Sequence, residues 1–172
     1  MRAHNYKAVK GQPYTRKKFV GGFPPPKITK FTMGDTKSKF EYEAKLIALE
    51  KAQIRHNALE AARIATNRYL GDKLSKNYCL CILPYPHVIL RENKMIFGAH
   101  ADRISDGMRR SFGKPIGTAA RVKPNQTIIT VNVNEDGVQV AKEALKRGSA
   151  KLPIPCRIII EKVQAVEEVN LS

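Results

Sequence analysis

Residues 126–133 read QTIITVNV, and their alternation sets the class of fold. Ile129, Val131 and Val133 fall on one side; Ile128, Thr130 and Asn132 fall on the other. Period two in a run rich in β-branched residues is the pattern of a strand. Residues 136–147 then change to the helical period, with Val138, Ala141 and Leu145 on one face. Glu135 and Asp136 stand at the start, Lys146 and Arg147 at the end, and Gly148 follows. That order of charge suits the helix dipole. Residues 156–163 return to strand.

Working towards the N-terminus, residues 40–48 alternate as well. Phe40, Tyr42, Ala44, Leu46 and Ala48 share one face, while Glu41, Glu43 and Lys45 share the other. Residues 57–70 predict a helix, with Asn57 and Glu60 as an N-cap pair and Gly71 as its stop. Ala58, Ala61, Ala62, Ala65 and Tyr69 lie together on it, a row of small residues expected to pack closely on a sheet. Residues 78–83 form a short apolar run, expected to be a strand buried on both faces. Pro84 and Pro86 break it, and residues 87–91 resume as strand.

The resulting order is arm, β, α, β-β, loop, β, α, β. It predicts an α+β fold: a two-layer α/β sandwich, a mixed sheet with two helices on one side. Residues 40–163 are expected to form this single domain. Residues 1–39 would be a basic N-terminal arm, and 164–172 a C-terminal tail.

The loop is residues 97–122, FGAHADRISDGMRRSFGKPIGTAARV. Ile104, Met108, Phe112 and Ile116 recur every fourth position, as in a helix, yet Gly107 and Gly113 weaken a helical interior. Pro115 also biases Lys114 away from helical geometry. A long glycine-hinged loop inserted between strands is the expectation. Connections of more than about 12–15 residues in a compact domain are usually functional or disordered. Burying unpaired guanidinium groups is costly, so such a loop must project towards something anionic that also offers apolar contact. RNA supplies both, as phosphates and base faces.

Charge distribution agrees. The chain has 31 Lys and Arg against 15 Asp and Glu, a net charge of +16. Residues 1–39 and 94–123 hold 14 of those excess positive charges. Such concentration points to a polyanionic partner. No run approaches the roughly 18 consecutive apolar residues of a membrane span, and the first ten residues have no secretory character. Three cysteines cannot all pair within the chain, which favours a reducing compartment.

In the arm, Pro24, Pro25 and Pro26 set a stiff extended segment after a hinge at Gly21 and Gly22. Tyr6, Tyr14, Phe19, Phe23 and Phe31 interleave with Arg16, Lys17, Lys18, Lys27 and Lys30. Cations can neutralise phosphates while rings stack on exposed bases. The candidate nucleic-acid contacts are therefore Tyr14, Arg16, Lys17, Lys18, Phe19, Lys27 and Lys30 from the arm. Arg91 and Lys94 precede the loop, and His100, Arg103, Arg109, Arg110, Phe112, Lys114 and Arg121 lie within it.

No catalytic set emerges. Cys79 and Cys81 stand too close for the usual zinc spacing, and Cys156 is the only other thiol, so buried apolar cysteines are expected. No phosphate-cradling glycine motif occurs. No metal or cofactor is expected. Two classes compete with a structural RNA-binding protein in a large assembly. A membrane or polysaccharide binder should carry an amphipathic basic helix, and the helices here are nearly neutral. An RNA-binding or RNA-processing factor outside any such assembly remains the second reading, although processing chemistry needs titratable groups that do not converge here.

Several motifs together resemble one ribosomal family. They are Ala101-Asp102-Arg103, Gly107-Met108-Arg109, Phe112-Gly113-Lys114-Pro115 and Ala120-Arg121-Val122, with Gly117 between. Further matches are Tyr14-Thr15-Arg16-Lys17, Leu59-Glu60-Ala61-Ala62-Arg63, Arg91-Glu92-Asn93-Lys94-Met95 and Lys151-Leu152-Pro153. The set is similar to the archaeal and eukaryotic large-subunit ribosomal protein "L ten e", counterpart of bacterial "L sixteen". The resemblance implies a sandwich bound to large-subunit rRNA in the cytoplasmic ribosome, beside neighbouring ribosomal proteins, with no homo-oligomer. It further implies a loop reaching towards the peptidyl transferase centre and the aminoacyl-tRNA site, and adds 5S rRNA and tRNA as partners. It implies no catalytic residue.

Overall fold

The computed structural model describes residues 4–94, 98, 107–109 and 111–163. Alternating residues make the strands. β1 (Thr32–Gly34), β2 (Tyr42–Ala48) and β3 (Ala52–Arg55) come first, after a single-turn helix α1 (His4–Lys7). Helix α2 (His56–Leu74) follows, then β4 (Cys79–Ile82), β5 (Val88–Glu92), β6 (Lys114–Val122) and β7 (Thr127–Val133). Helix α3 (Val138–Ser149) and β8 (Cys156–Lys162) complete the order.

The α+β sandwich is present, but its strands divide between two sheets. β1-β4-β7-β2-β8 form one and β3-β6-β5 the other. Every ladder among the described residues is antiparallel, so no mixed sheet forms. The fully buried residues Leu46, Leu80, Ile129, Val131 and Val133 line the large sheet's inner face. Helix α3 packs across β2, β7 and β8, and α2 lies against α3 and reaches the small sheet through β3 and β6. Each core aliphatic contributes about 1.5–3 kcal/mol by leaving water.

Several expectations need correction. The glycine-rich stretch is not loop as far as residue 122. Residues 114–122 form β6, the longest strand, held between β3 and β5. Lys114 and Arg121 therefore sit on a strand. The run of Thr118, Ala119, Ala120 and Val122 buries well in a sheet centre, and a register irregularity at Leu90/Arg91 accommodates Pro115. Proline lacks the N–H of an ordinary ladder position, so it needs such a break. Strand β3 has no counterpart in the expected order; four residues hold too little pattern to stand out. Strand β4 buries only Leu80 and Ile82, leaving Cys79 and Cys81 half-exposed on the outer face.

Helix α2 begins at His56 with no side-chain cap and passes through Gly71, ending where Ser75 takes φ 55°. Its buried stripe is Leu59, Ala62, Thr66 and Leu70. Ala58, Ala61 and Ala65 are only half-buried beside that stripe, with Ala58 packing at the edge of the core. Residues 164–172 lie outside the described residues. The arm is partly woven in: Thr32–Gly34 pairs with β4, and Ile28 is in the core.

Gly148 lies inside α3, where its lack of a side chain lets the helices approach. A Cβ there would overlap Thr66 Oγ1, which itself donates to Ala62 O at 2.9 Å. Gly148→Ala should lower stability by about 1–3 kcal/mol, the usual cost of overpacking. Adding Thr66→Ala should recover part of that loss, a coupling that urea denaturation of the four variants would measure.

Candidate nucleic-acid interface

Backbone carbonyls outside the ladders need donors, and two arginines supply them. Arg121, on β6, donates from Nε to Gln53 Oε1 at 3.3 Å, from Nη1 to Gly11 O at 2.9 Å and from Nη2 to Lys10 O at 3.2 Å. Gln53, itself buried, donates to Tyr6 O at 3.1 Å. The start of the arm is thus stapled to the small sheet. Arg91, on β5, donates from Nε to Gly113 O at 2.8 Å. Its guanidinium stacks on the Phe112 ring and lies 5.3 Å from the Tyr14 ring centre. Tyr14 O accepts from Ile89 N–H at 2.8 Å, and Asn93 Nδ2 donates to Gly107 O at 3.3 Å. Arm and loop therefore meet on one sheet, at the two feet of the loop.

The aromatic residues divide accordingly. Tyr6 and Tyr14 are half-buried against the body, Lys17 covers Phe23, and Phe31 packs on Tyr85 at 5.6 Å. Phe19 and Phe112 stay largely exposed, at 68% and 78%. Arg16, Lys17 and Lys18 are exposed around Phe19, where a 3-10 turn spans Lys17–Phe19. Arg109 and Lys114 are exposed near Phe112. Met108, 78% exposed beside Arg109, is a contact candidate absent from the set that the sequence suggests. Its place in the four-residue apolar row conceals it, because that row suggests burial. Lys27, Lys30 and Lys94 are exposed; His100, Arg103 and Arg110 lie outside the described residues.

A hollow of about 400 Å³ joins arm to body. Pro24, Lys27, His56, Lys94 and Gly117 are among the residues lining it. Lys27 N–H donates to His56 Nδ1 at 2.8 Å, so that nitrogen must be unprotonated. A Cβ at Gly117 would come within 2.9 Å of His56 Nε2, so glycine there keeps the imidazole in place. Burial, then the charges of Lys27 and Arg55, push the His56 pKa below its usual value of 6.5.

Cys79, Cys81 and Cys156 are free thiols. Burial raises the pKa of Cys79 and Cys156, which leaves both thiols less nucleophilic. Among the described residues no three His, Cys, Asp or Glu side chains converge as metal ligands, and no helix is long and apolar enough to cross a membrane.

Two outcomes follow. Arg121→Ala should release the arm: trypsin should cut at Lys7 and Lys10 faster, while the core keeps its protection from hydrogen exchange. For His56, the unfolded imidazole takes up a proton near pH 6.5 and the folded one resists it. Stability should therefore fall as pH drops below about 6.5, and His56→Gln should flatten that limb of the denaturation midpoint against pH. Asp35 and Glu60, whose pKa values hydrogen bonds from Ser38 and Arg63 lower, act only further towards acid.

The chain is similar to known proteins over most of its length. The sequence pattern of the family described as ribosomal protein L16p/L10e matches residues 9–159. The large ribosomal subunit protein uL16 of Staphylothermus marinus is 50% identical over 163 residues, 94% of each chain. That of Picrophilus torridus is 51% identical over 167 residues, covering 96% of this chain and 95% of its own. That of Methanosphaerula palustris is 50% identical over 159 residues, 92% of each.

Proposed function

The chain belongs to the ribosomal protein L16p/L10e family, and from that premise we propose how it holds RNA. It is a structural constituent of the large ribosomal subunit and not an enzyme, working in translation beside rRNA and other ribosomal proteins. In our reading the arm and the loop are its RNA-gripping parts. Arg16, Lys17 and Lys18 neutralise phosphates around Phe19; Arg109 and Lys114 do so around Phe112, joined by Arg103 and Arg110 of the same stretch. Arg91 and Arg121 act one step back, holding these parts in place.

The observation that carries this reading is Phe112. An aromatic ring, 78% exposed, is held on one face by the Arg91 guanidinium and offers its other face outward. An exposed ring costs solubility unless a partner covers it, and a stacked base is a partner that tolerates the surrounding cations. The loop leaves the body between β5 and β6, whose pairing fixes the spacing of its feet. We extend the reading to the aminoacyl-tRNA region near the peptidyl transferase centre, with 5S rRNA and tRNA as further partners. A loop anchored on rigid strands suits shaping a corridor for tRNA.

Binding of the full chain to deproteinised large-subunit rRNA tests this. Arg109→Ala with Lys114→Ala should flatten the log–log salt dependence by about 0.7–0.9 for each phosphate no longer neutralised. Phe112→Ala should weaken binding by about 1–3 kcal/mol with little change of slope. An unchanged slope in the first variant would reject a phosphate role for the pair.

A further inference from the structure

The alanine row of α2 is only partly absorbed by the fold, with Ala58 packing at the edge of the core. Ala58, Ala61 and Ala65 lie half-buried beside the buried stripe, along the connection from α3 to β8. Two hollows of about 370 and 540 Å³ open there and share Lys151 as a wall. Together they form a groove whose helix side runs from Arg55 to Arg68, about 20 Å at helical rise. Alanine methyls keep the floor shallow, so a backbone can come close.

The rim is cationic, with Leu152 and Pro153 completing the lining beside Ala58 and Ala61. Lys151 and Arg68 are exposed, and Arg147 lies over the Tyr69 ring at 4.0 Å. The Tyr69 hydroxyl donates to Glu143 Oε2 at the side. Asp72 is the one acid among the residues lining the two hollows. A neutral protein helix laid on the alanines would strip water from these cations and return nothing, which costs energy. A polyanion returns that energy as charge-assisted hydrogen bonds and released counterions. Arg55 also lines the hollow beside Lys27 and His56, so the groove continues the arm's surface onto the helical layer.

We infer that this groove binds the phosphodiester backbone of a second rRNA segment, on the helix side of the domain. The inference rests on the ribosomal reading but adds a surface apart from the loop. Its RNA contact is to the backbone, because the exposed cations at the rim suit phosphates, which carry no sequence information. Lys151 and Arg68 supply the main contacts. Arg147, fixed by its ring contact, orients the strand.

The test uses the full chain and deproteinised large-subunit rRNA. Arg68→Gln with Lys151→Gln changes two exposed side chains and should leave folding intact. The salt slope should flatten by about 0.7–0.9 for each phosphate that the pair neutralises, and the effect should add to that of the Arg109→Ala, Lys114→Ala pair. A photo-cross-linking residue in place of Ala61 should, in assembled subunits, attach to rRNA. An unchanged slope in the groove variant, or attachment to protein or to nothing, would overturn the inference while leaving the ribosomal reading in place. If the unaltered chain fails to bind rRNA at all, the ribosomal reading falls as well.

Discussion

Donor-rich guanidinium groups, set on strands and aimed at unpaired carbonyls, are what the external parts of this protein depend on. Arg121 satisfies carbonyls of Lys10 and Gly11 that no ladder reaches. Arg91 does the same for Gly113 while lying against two rings. Arginine suits this work because its planar fork can hold several acceptors and stack at once. Without these bonds, the carbonyls of Lys10 and Gly11 would have only water, and the start of the arm would hang on the bonds at Tyr6 and Tyr14.

That constraint divides the cations by task. Composition treats all 31 Lys and Arg alike, yet their sites are unequal. Arg91, Arg121 and Arg63 are partly buried and spend donors on the protein itself. Lys17, Lys18, Arg109 and Lys114 remain exposed. The first group is preorganised by its bonds and costs nothing further when RNA arrives. The second group stays hydrated at the surface, and under the proposed function phosphate replaces that hydration. Exposed rings follow the same division, since Phe112 is positioned by a guanidinium and Tyr14 is largely absorbed by one.

Much of the fold was legible because strong alternation leaves few readings. The run from Thr127 to Val133, the alternation of Ala44, Leu46 and Ala48, and the helices were all readable from residue type and period. The split into two sheets was not. It depends on β3, four residues without a full period, and on β6, hidden in a glycine-rich basic stretch. Thr118, Ala119 and Ala120 have weak signatures on their own, and only pairing with β3 and β5 makes them a sheet centre. At the candidate site, residue types named the segments, but not that Tyr14, Arg91 and Arg121 spend their contacts on the protein itself. Whether a tyrosine meets a base or an arginine is decided by long-range contacts that local pattern does not record.

The alanine row of α2 carries this one step further. Small residues at helical spacing ordinarily signal close packing, and half of that signal was correct: Ala62 is buried and Gly148 approaches Thr66 across the helix pair. But α2 has to pack on α3 with Leu59, Thr66 and Leu70, and a helix of 3.6 residues per turn cannot turn both stripes inward. The larger side chains bury more apolar area, so they take the core. Ala58, Ala61 and Ala65 are left along the flank. A flank made only for solubility would carry long charged side chains there. Methyl groups in hollows whose rim carries Arg68, Arg147 and Lys151 instead suit the inferred RNA backbone, which is thin and negatively charged.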